Sequence, residues 1–275
     1  PPETAEPIQA EQLTAALARL REQARPEPPP APGIPADDRP ARPWLAKAFR
    51  DLTRQDASAG GRLLLGLLPA QRLADPHPVA YDLILSDVLV AHVTSDGHAV
   101  HVAHDSTVRP ASEVDFQLVG DLASVARLLR AGRIRRRLRV LPPRMARVRG
   151  DRGRVAALDR LIDARLTARE LHGAGVRLDP LLGFTLAALM IEPNWTAGER
   201  FTIGHRDPAV TTPDAYLHIR DGRPPLASAE PPHGPVGAIL ESTADDVLGA
   251  LAGATDAEER PLVLVRQWLD RAQSG

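Results

Sequence analysis

Cysteine is absent from the 275-residue chain, which excludes disulfides and thiolate metal sites. Aromatic residues make up only 3%, so aliphatic side chains have to fill any core. Net charge is scarce as well. The 34 Lys and Arg set against 35 Asp and Glu leave −1, and no global field favours nucleic acid or an anionic membrane. Lysine is nearly missing, Lys47 being the sole example. Together with the abundant alanine, that points to a GC-rich bacterial coding sequence. A long apolar run is missing too: the strongest, Leu181 to Ile191, is too short to span a bilayer and suits a buried helix. No signal-peptide pattern is read at the start, and the expectation is a soluble, cytoplasmic protein.

What is present is ordinary globular composition, 43% hydrophobic and 25% charged, on a chain with room for two domains. Ile8, Leu13, Leu17 and Leu20 form a narrow stripe that predicts an amphipathic helix or arm over residues 1–25. Such a short helix is marginal alone. It docks on the body, a second copy or a partner protein, or else it frays. Prolines 26, 28, 29, 30, 32, 35, 40 and 43 then fix the backbone of residues 26–43 as an extended linker.

Beyond the linker the pattern repeats. Trp44 to Gln55 and Arg62 to Leu73 read as helices. Ala80 to Leu85, Val88 to Thr94 and Ala99 to Ala103 alternate as strands, with a Ser95-Asp96-Gly97 turn. Val114, Phe116 and Leu118 give another strand, and Asp121 caps a helix that Gly132 ends. The second half runs in the same order. Leu181 to Met190 is a helix, followed by strands at Phe201 to His205, Ala215 to Arg220, Pro224 to Ala229 and Val236 to Leu240. Ser242 or Thr243 caps the next helix. Asp96-Gly97 and Asp221-Gly222 are 125 residues apart (221 − 96). Val114, Leu118, Val125 and Leu129 match Val236, Leu240, Val247 and Leu251 at 122 (236 − 114). Each copy closes on an amphipathic helix, lined by Val155, Leu158, Leu161, Ile162 and Leu166, then by Leu262, Val265, Trp268 and Leu269. The expected fold class is α+β, with tandem domains at 44–175 and 176–275.

The stretch Val236 to Gly253, with Ser242-Thr243-Ala244-Asp245-Asp246-Val247-Leu248 leading to Leu251-Ala252-Gly253, resembles the core of sterol carrier protein-2-like domains. Ala215 to Gly222 is similar to that family's hairpin, and Val114 to Gly132 resembles a second instance. The resemblance spans Arg62 to Gln273 as a tandem pair. It implies, in each copy, a mixed and mostly antiparallel five-stranded sheet with helices over one face. It also implies an apolar tunnel between sheet and helices that takes a fatty acyl chain or sterol. Two departures stand against the pattern: the Pro224-Pro225 pair in a strand and the arginine-rich insertion from Ala131 to Arg147.

Chemistry is sparse. Each buried methylene contributes about 0.8 kcal/mol, so a chain of roughly 16 carbons offers on the order of 10 kcal/mol without reactive groups. The residues expected to line such a site are Leu181, Leu182, Phe184, Leu186, Leu189, Met190, Phe201, Leu240, Val247 and Leu251; the same side chains equally fill a core or a seam. Arg133, Arg136, Arg137 and Arg139, within the arginine run from Arg130 to Arg154, suit an anionic head group. The run lacks the aromatics that single-stranded nucleic acid requires. His98, His101 and His104 cannot gather on one strand face, and His205-Arg206-Asp207 has no accompanying nucleophile motif. No metal or cofactor is called for. The expected function is a non-catalytic carrier of a hydrophobic ligand. The alternative is a structural or interaction protein whose residues 1–43 recruit a partner or a second copy.

Overall fold

The stretches of period two pair as strands in the computed structural model, which describes residues 43–86, 89–131, 146–253 and 259–274. In chain order the elements are α1 (Trp44–Gln55), α2 (Ala57–Leu67), the short α3 (Gln71–Ala74), β1 (Val79–Leu85), β2 (Leu89–Ser95), β3 (Val100–Asp105), β4 (Phe116–Gly120), α4 (Leu122–Arg130) and β5 (Arg147–Gly150). There follow α5 (Ala156–Asp163), α6 (Ala168–Gly173), α7 (Pro180–Met190), β6 (Arg200–Arg206), β7 (Ala215–Arg220), β8 (Leu226–Ser228), β9 (Ala238–Glu241), α8 (Val247–Leu251) and α9 (Arg260–Ser274). Local chemistry sets the helix starts. Asp56 accepts from the Ser58 and Ala59 amides, and Asp121 accepts from Ser124. Thr167 and Glu170 close a reciprocal capping box. Asp179 caps α7, whose first residue is Pro180, where a missing N–H costs nothing.

The first sheet has the order β3-β2-β1-β4-β5 and the second β8-β7-β6-β9. Both are mixed. β1 and β4 run parallel, as do β6 and β9, and every other pair is antiparallel. Tyr81 lies opposite Phe116 and Ile203 opposite Ala238, a separation of 35 residues in each half (116 − 81 and 238 − 203). The matching turns and the matching crossover register together show the two halves wired alike. The expectation of five strands in each sheet holds only for the first. Among the described residues the second sheet has four, and its β8 is three residues long because Pro224 and Pro225 precede it without N–H groups.

Alternation places Val79, Tyr81, Leu83, Phe116 and Leu118 on one face of the first sheet, all buried. The helices pack there. The corresponding face of the second sheet presents Ile203, Ala215, Leu217, Ile219 and Leu240. All of these belong to one continuous core within the compact unit that covers residues 41–275. Helix α7 explains the continuity. It meets α1 of the first half, and β7, β8, α8 and α9 of the second. It is apolar nearly all round because most of its circumference is enclosed, only the side of Leu181, Thr185 and Leu189 being exposed or half-buried. Gly183 permits the closest approach, since a Cβ there would lie 2.8 Å from Val247 Cγ1. Burying Leu182, Phe184 and Leu186 contributes about 1.5–3 kcal/mol each. At the same joint Lys47 on α1 donates to Glu192 at 2.7 Å, just past the end of α7.

Other boundaries shift for local reasons. The helix expected over Arg62 to Leu73 instead comprises α2, a 3₁₀ turn at Leu68–Ala70 around Pro69, and α3. The helix expected to start at Ser242 or Thr243 begins at Val247, and Asp246 precedes it without a side-chain cap. The Ser242 hydroxyl is directed to His205 instead. The arm over 1–25 and the linker over 26–43 lie outside the described residues, apart from Pro43. No described helix is long and apolar enough to cross a membrane.

Candidate functional site

The ten apolar residues expected to line a ligand site gather around α7 and α8. Leu182, Phe184, Leu186, Met190, Leu240, Val247 and Leu251 are core residues, Leu189 and Phe201 pack against that core, and Leu181 is exposed. Phe201 stacks on Trp268 of α9 with ring centroids 6.2 Å apart. Arg133, Arg136, Arg137 and Arg139 lie outside the described residues. On β3, His104 sits opposite Ala91 and His101 opposite Thr94, so the two histidines take opposite faces. No group of three metal-ligating side chains forms among the described residues.

The side chains that do converge lie on the other face of the first sheet, where no described helix packs. Register sets out its rows. Asp105, Val90, Ile84, Val119 and Arg147 form one row across five strands; Ala103, His92, Asp82, Gln117 and Arg149 form the next. Segment 106–115 crosses the second row and brings down Arg109. Asp82, wholly buried in mid-strand, accepts from Arg109 Nε at 2.8 Å and from Arg109 Nη2, and its Oδ1 lies 2.8 Å from His92 Nδ1. Arg109 Nη2 also donates to the Tyr81 carbonyl at 2.9 Å, and the Arg109 carbonyl accepts from Gln117 at 2.7 Å. Asp82 Oδ2 is buried without a partner among the described residues. A carboxylate in such a place holds only because a guanidinium neutralises it. Next to this network an open groove of about 870 Å³ is lined by Ile84, Leu89, Val90, His104, Asp105 and Val108. Val108 is 48% exposed. The Asp105 carboxyl is held below its ordinary range by the Thr107 hydroxyl and the Ser106 and Thr107 amides.

A second polar constellation closes one end of the other sheet. His205 is wholly buried. Its Nδ1 lies 2.6 Å from Asp214 Oδ1, and its Nε2 lies 3.0 Å from the Ser242 hydroxyl and 3.1 Å from the Ser242 carbonyl. The order carboxylate, imidazole, hydroxyl is that of an acyl-transfer triad. The rest of the geometry is that of a clamp. Nε2 is shared with the carbonyl of the same serine, and the hydroxyl also reaches the Thr243 carbonyl at 3.2 Å. His205 thus ties the β6–β7 loop to the β9–α8 junction.

Sequence reasoning missed the first cluster, and in the second it singled out His205 with Arg206 and Asp207 rather than with Asp214 and Ser242. A lone Asp inside the apolar run Ala80-Tyr81-Asp82-Leu83-Ile84 was the available signal for the first. For the second, the partners of His205 lie 9 and 37 residues away, and no local pattern joins them. No family model matches the chain, and neither a curated protein nor a solved structure matches it.

Proposed function

We propose that the chain is a non-catalytic, sterol carrier protein-2-like tandem protein that acts through its surface, as a rigid interaction body. One observation carries this reading: the residues that would line an internal ligand site, Leu181 apart, belong to or pack against one side-chain core around α7 that also takes in α1 of the first half. The mixed five-stranded sheet, with the described helices on one face only, supports the family resemblance. The working surface is then the face on which no described helix packs, where half-buried Ile84 and Val119 adjoin exposed Arg147 and Arg149. An apolar stripe with a basic margin fits a protein surface of acidic rim.

Two arms test it. Native mass spectrometry of the purified full chain is expected to show bare protein, and fluorescent fatty acids are expected not to bind. A stoichiometric lipid would restore the carrier role and remove this one. A protein captured from cells of the source organism is expected to be lost from Ile84→Glu and Arg149→Glu baits, yet retained by Arg223→Glu in the β7–β8 turn. Retention by all three would move the working surface elsewhere.

A further inference from the structure

A free strand edge presents unpaired N–H and C=O groups to any other strand, and sheets blunt their edges with brevity, charge or proline. Three of the outer strands here follow that rule or are covered. β5 has four residues and exposes Arg147 and Arg149. β8 has three and follows Pro224-Pro225. On β9, Ala238 and Leu240 are only 4% exposed. Among the described residues β3 is the exception, its one carboxylate, Asp105, standing at the last position of the strand. It has six residues, none of them Lys, Arg or Pro, and each is exposed or half-buried.

The polarity of that edge is fixed. The Asp96 amide donates to the Ala99 carbonyl at 3.3 Å, and bonding alternates from there along the ladder. His101, Ala103 and Asp105 direct their backbone groups to β2. Val100, Val102 and His104 direct theirs outward. The edge is also complementary to itself. An antiparallel copy of β3 centred on Ala103 sets Val102 opposite His104 of the copy as hydrogen-bonded pairs. It sets His101 opposite Asp105 of the copy, twice, in the closely spaced non-hydrogen-bonded positions. A slip of two residues either way loses both His–Asp pairs.

We propose that the chain forms a two-fold dimer by β3–β3 pairing across an axis at Ala103, joining two five-stranded sheets into one of ten strands. This proposal rests neither on residues 1–43 nor on the function proposed above. Sedimentation of the full chain across a concentration series is expected to show a monomer–dimer equilibrium. Ala103→Glu sets two carboxylates face to face on the axis and is expected to weaken the dimer at least tenfold. Because Ala103 is exposed, the melting curve of the dissociated chain is expected to match that of the native monomer. His101→Glu and Asp105→Arg are each expected to weaken association, and the double variant to restore it, since the charges are then exchanged. Should Asp105→Arg disturb the turn at Ser106 and Thr107, Ala103→Glu decides alone. A native chain that stays monomeric, or a dimer indifferent to Ala103→Glu, overturns the proposal.

Discussion

In the first half Leu83 sits beneath the helices, between Ala91 on β2 and Leu118 on β4. In the second half the corresponding lattice point, between Ala215 and Leu240, is held by His205. The wiring is shared, while the fastening differs. The first half keeps an aliphatic core position and secures its outer face with Asp82, His92 and Arg109. The second leaves Gly204 on its outer face, where a Cβ would lie 3.1 Å from Pro213, and places its polar fastening in the core. Duplicated topology thus tolerates an exchange of buried polar groups between faces, provided each group keeps its partners.

The matched turn glycines give the sharpest contrast. Gly97 has φ +91°, and a Cβ there would lie 2.2 Å from the Pro76 carbonyl oxygen. Gly97→Ala is expected to cost about 3 kcal/mol or more in denaturant titration, strain and backbone clash together. Asp82→Ala removes the counter-charge of Arg109. It is expected to cost about 3 kcal/mol, the lower part of the range for a broken buried pair, since Arg109 is partly exposed. His205→Leu gives the second half the residue of the first. The loss is expected to stay within about 2 kcal/mol, because Asp214 can be hydrated and Ser242 can bond the Thr243 carbonyl. Faster proteolysis within 207–214 would accompany it; an unchanged loop would remove the clamp role.

Acid also separates the halves. Burial of the His218 ring, with Arg220 nearby, lowers its pKa from the ordinary 6.5. Its contribution is therefore complete above 6.5 and is lost as pH falls through the lower folded value. Burial raises the Asp75 carboxyl, but hydrogen bonds from Arg160 and His77 outweigh it and hold the group below its ordinary 3.8. That contribution is lost only in stronger acid. Hydrogen exchange from pH 7 downward is expected to loosen β7 before α3, and His218→Gln to abolish the early step. Simultaneous loosening would remove the distinction. The smallest effect is expected from Gly222→Ala. Its φ is +71° with no atom within 4 Å of a Cβ, so only backbone strain of about 1 kcal/mol is expected.

Elements with strong local signals were legible in the sequence. Helix α1 over Trp44–Gln55 and strand β7 over Ala215–Arg220 match their expected bounds, since period and flanking breakers agree there. β5 was not legible, because Arg147-Val148-Arg149 is too short and too charged to read as a strand before β4 is known to lie beside it. The α8 start was misplaced because Ser242 had a tertiary partner stronger than its role as a cap. Asp82 and His205 show the general reason: a buried polar residue is explained by groups that the fold brings from far along the chain.

Lys47 carries a practical consequence. It holds Glu192 across the α1–α7 joint, and the chain has no other lysine. A reagent that acylates amines therefore finds one side chain to modify besides any free amine at the chain terminus. A dye attached there reports from the α1–α7 joint, while acetylation at that single address removes the ammonium that bonds Glu192 across it.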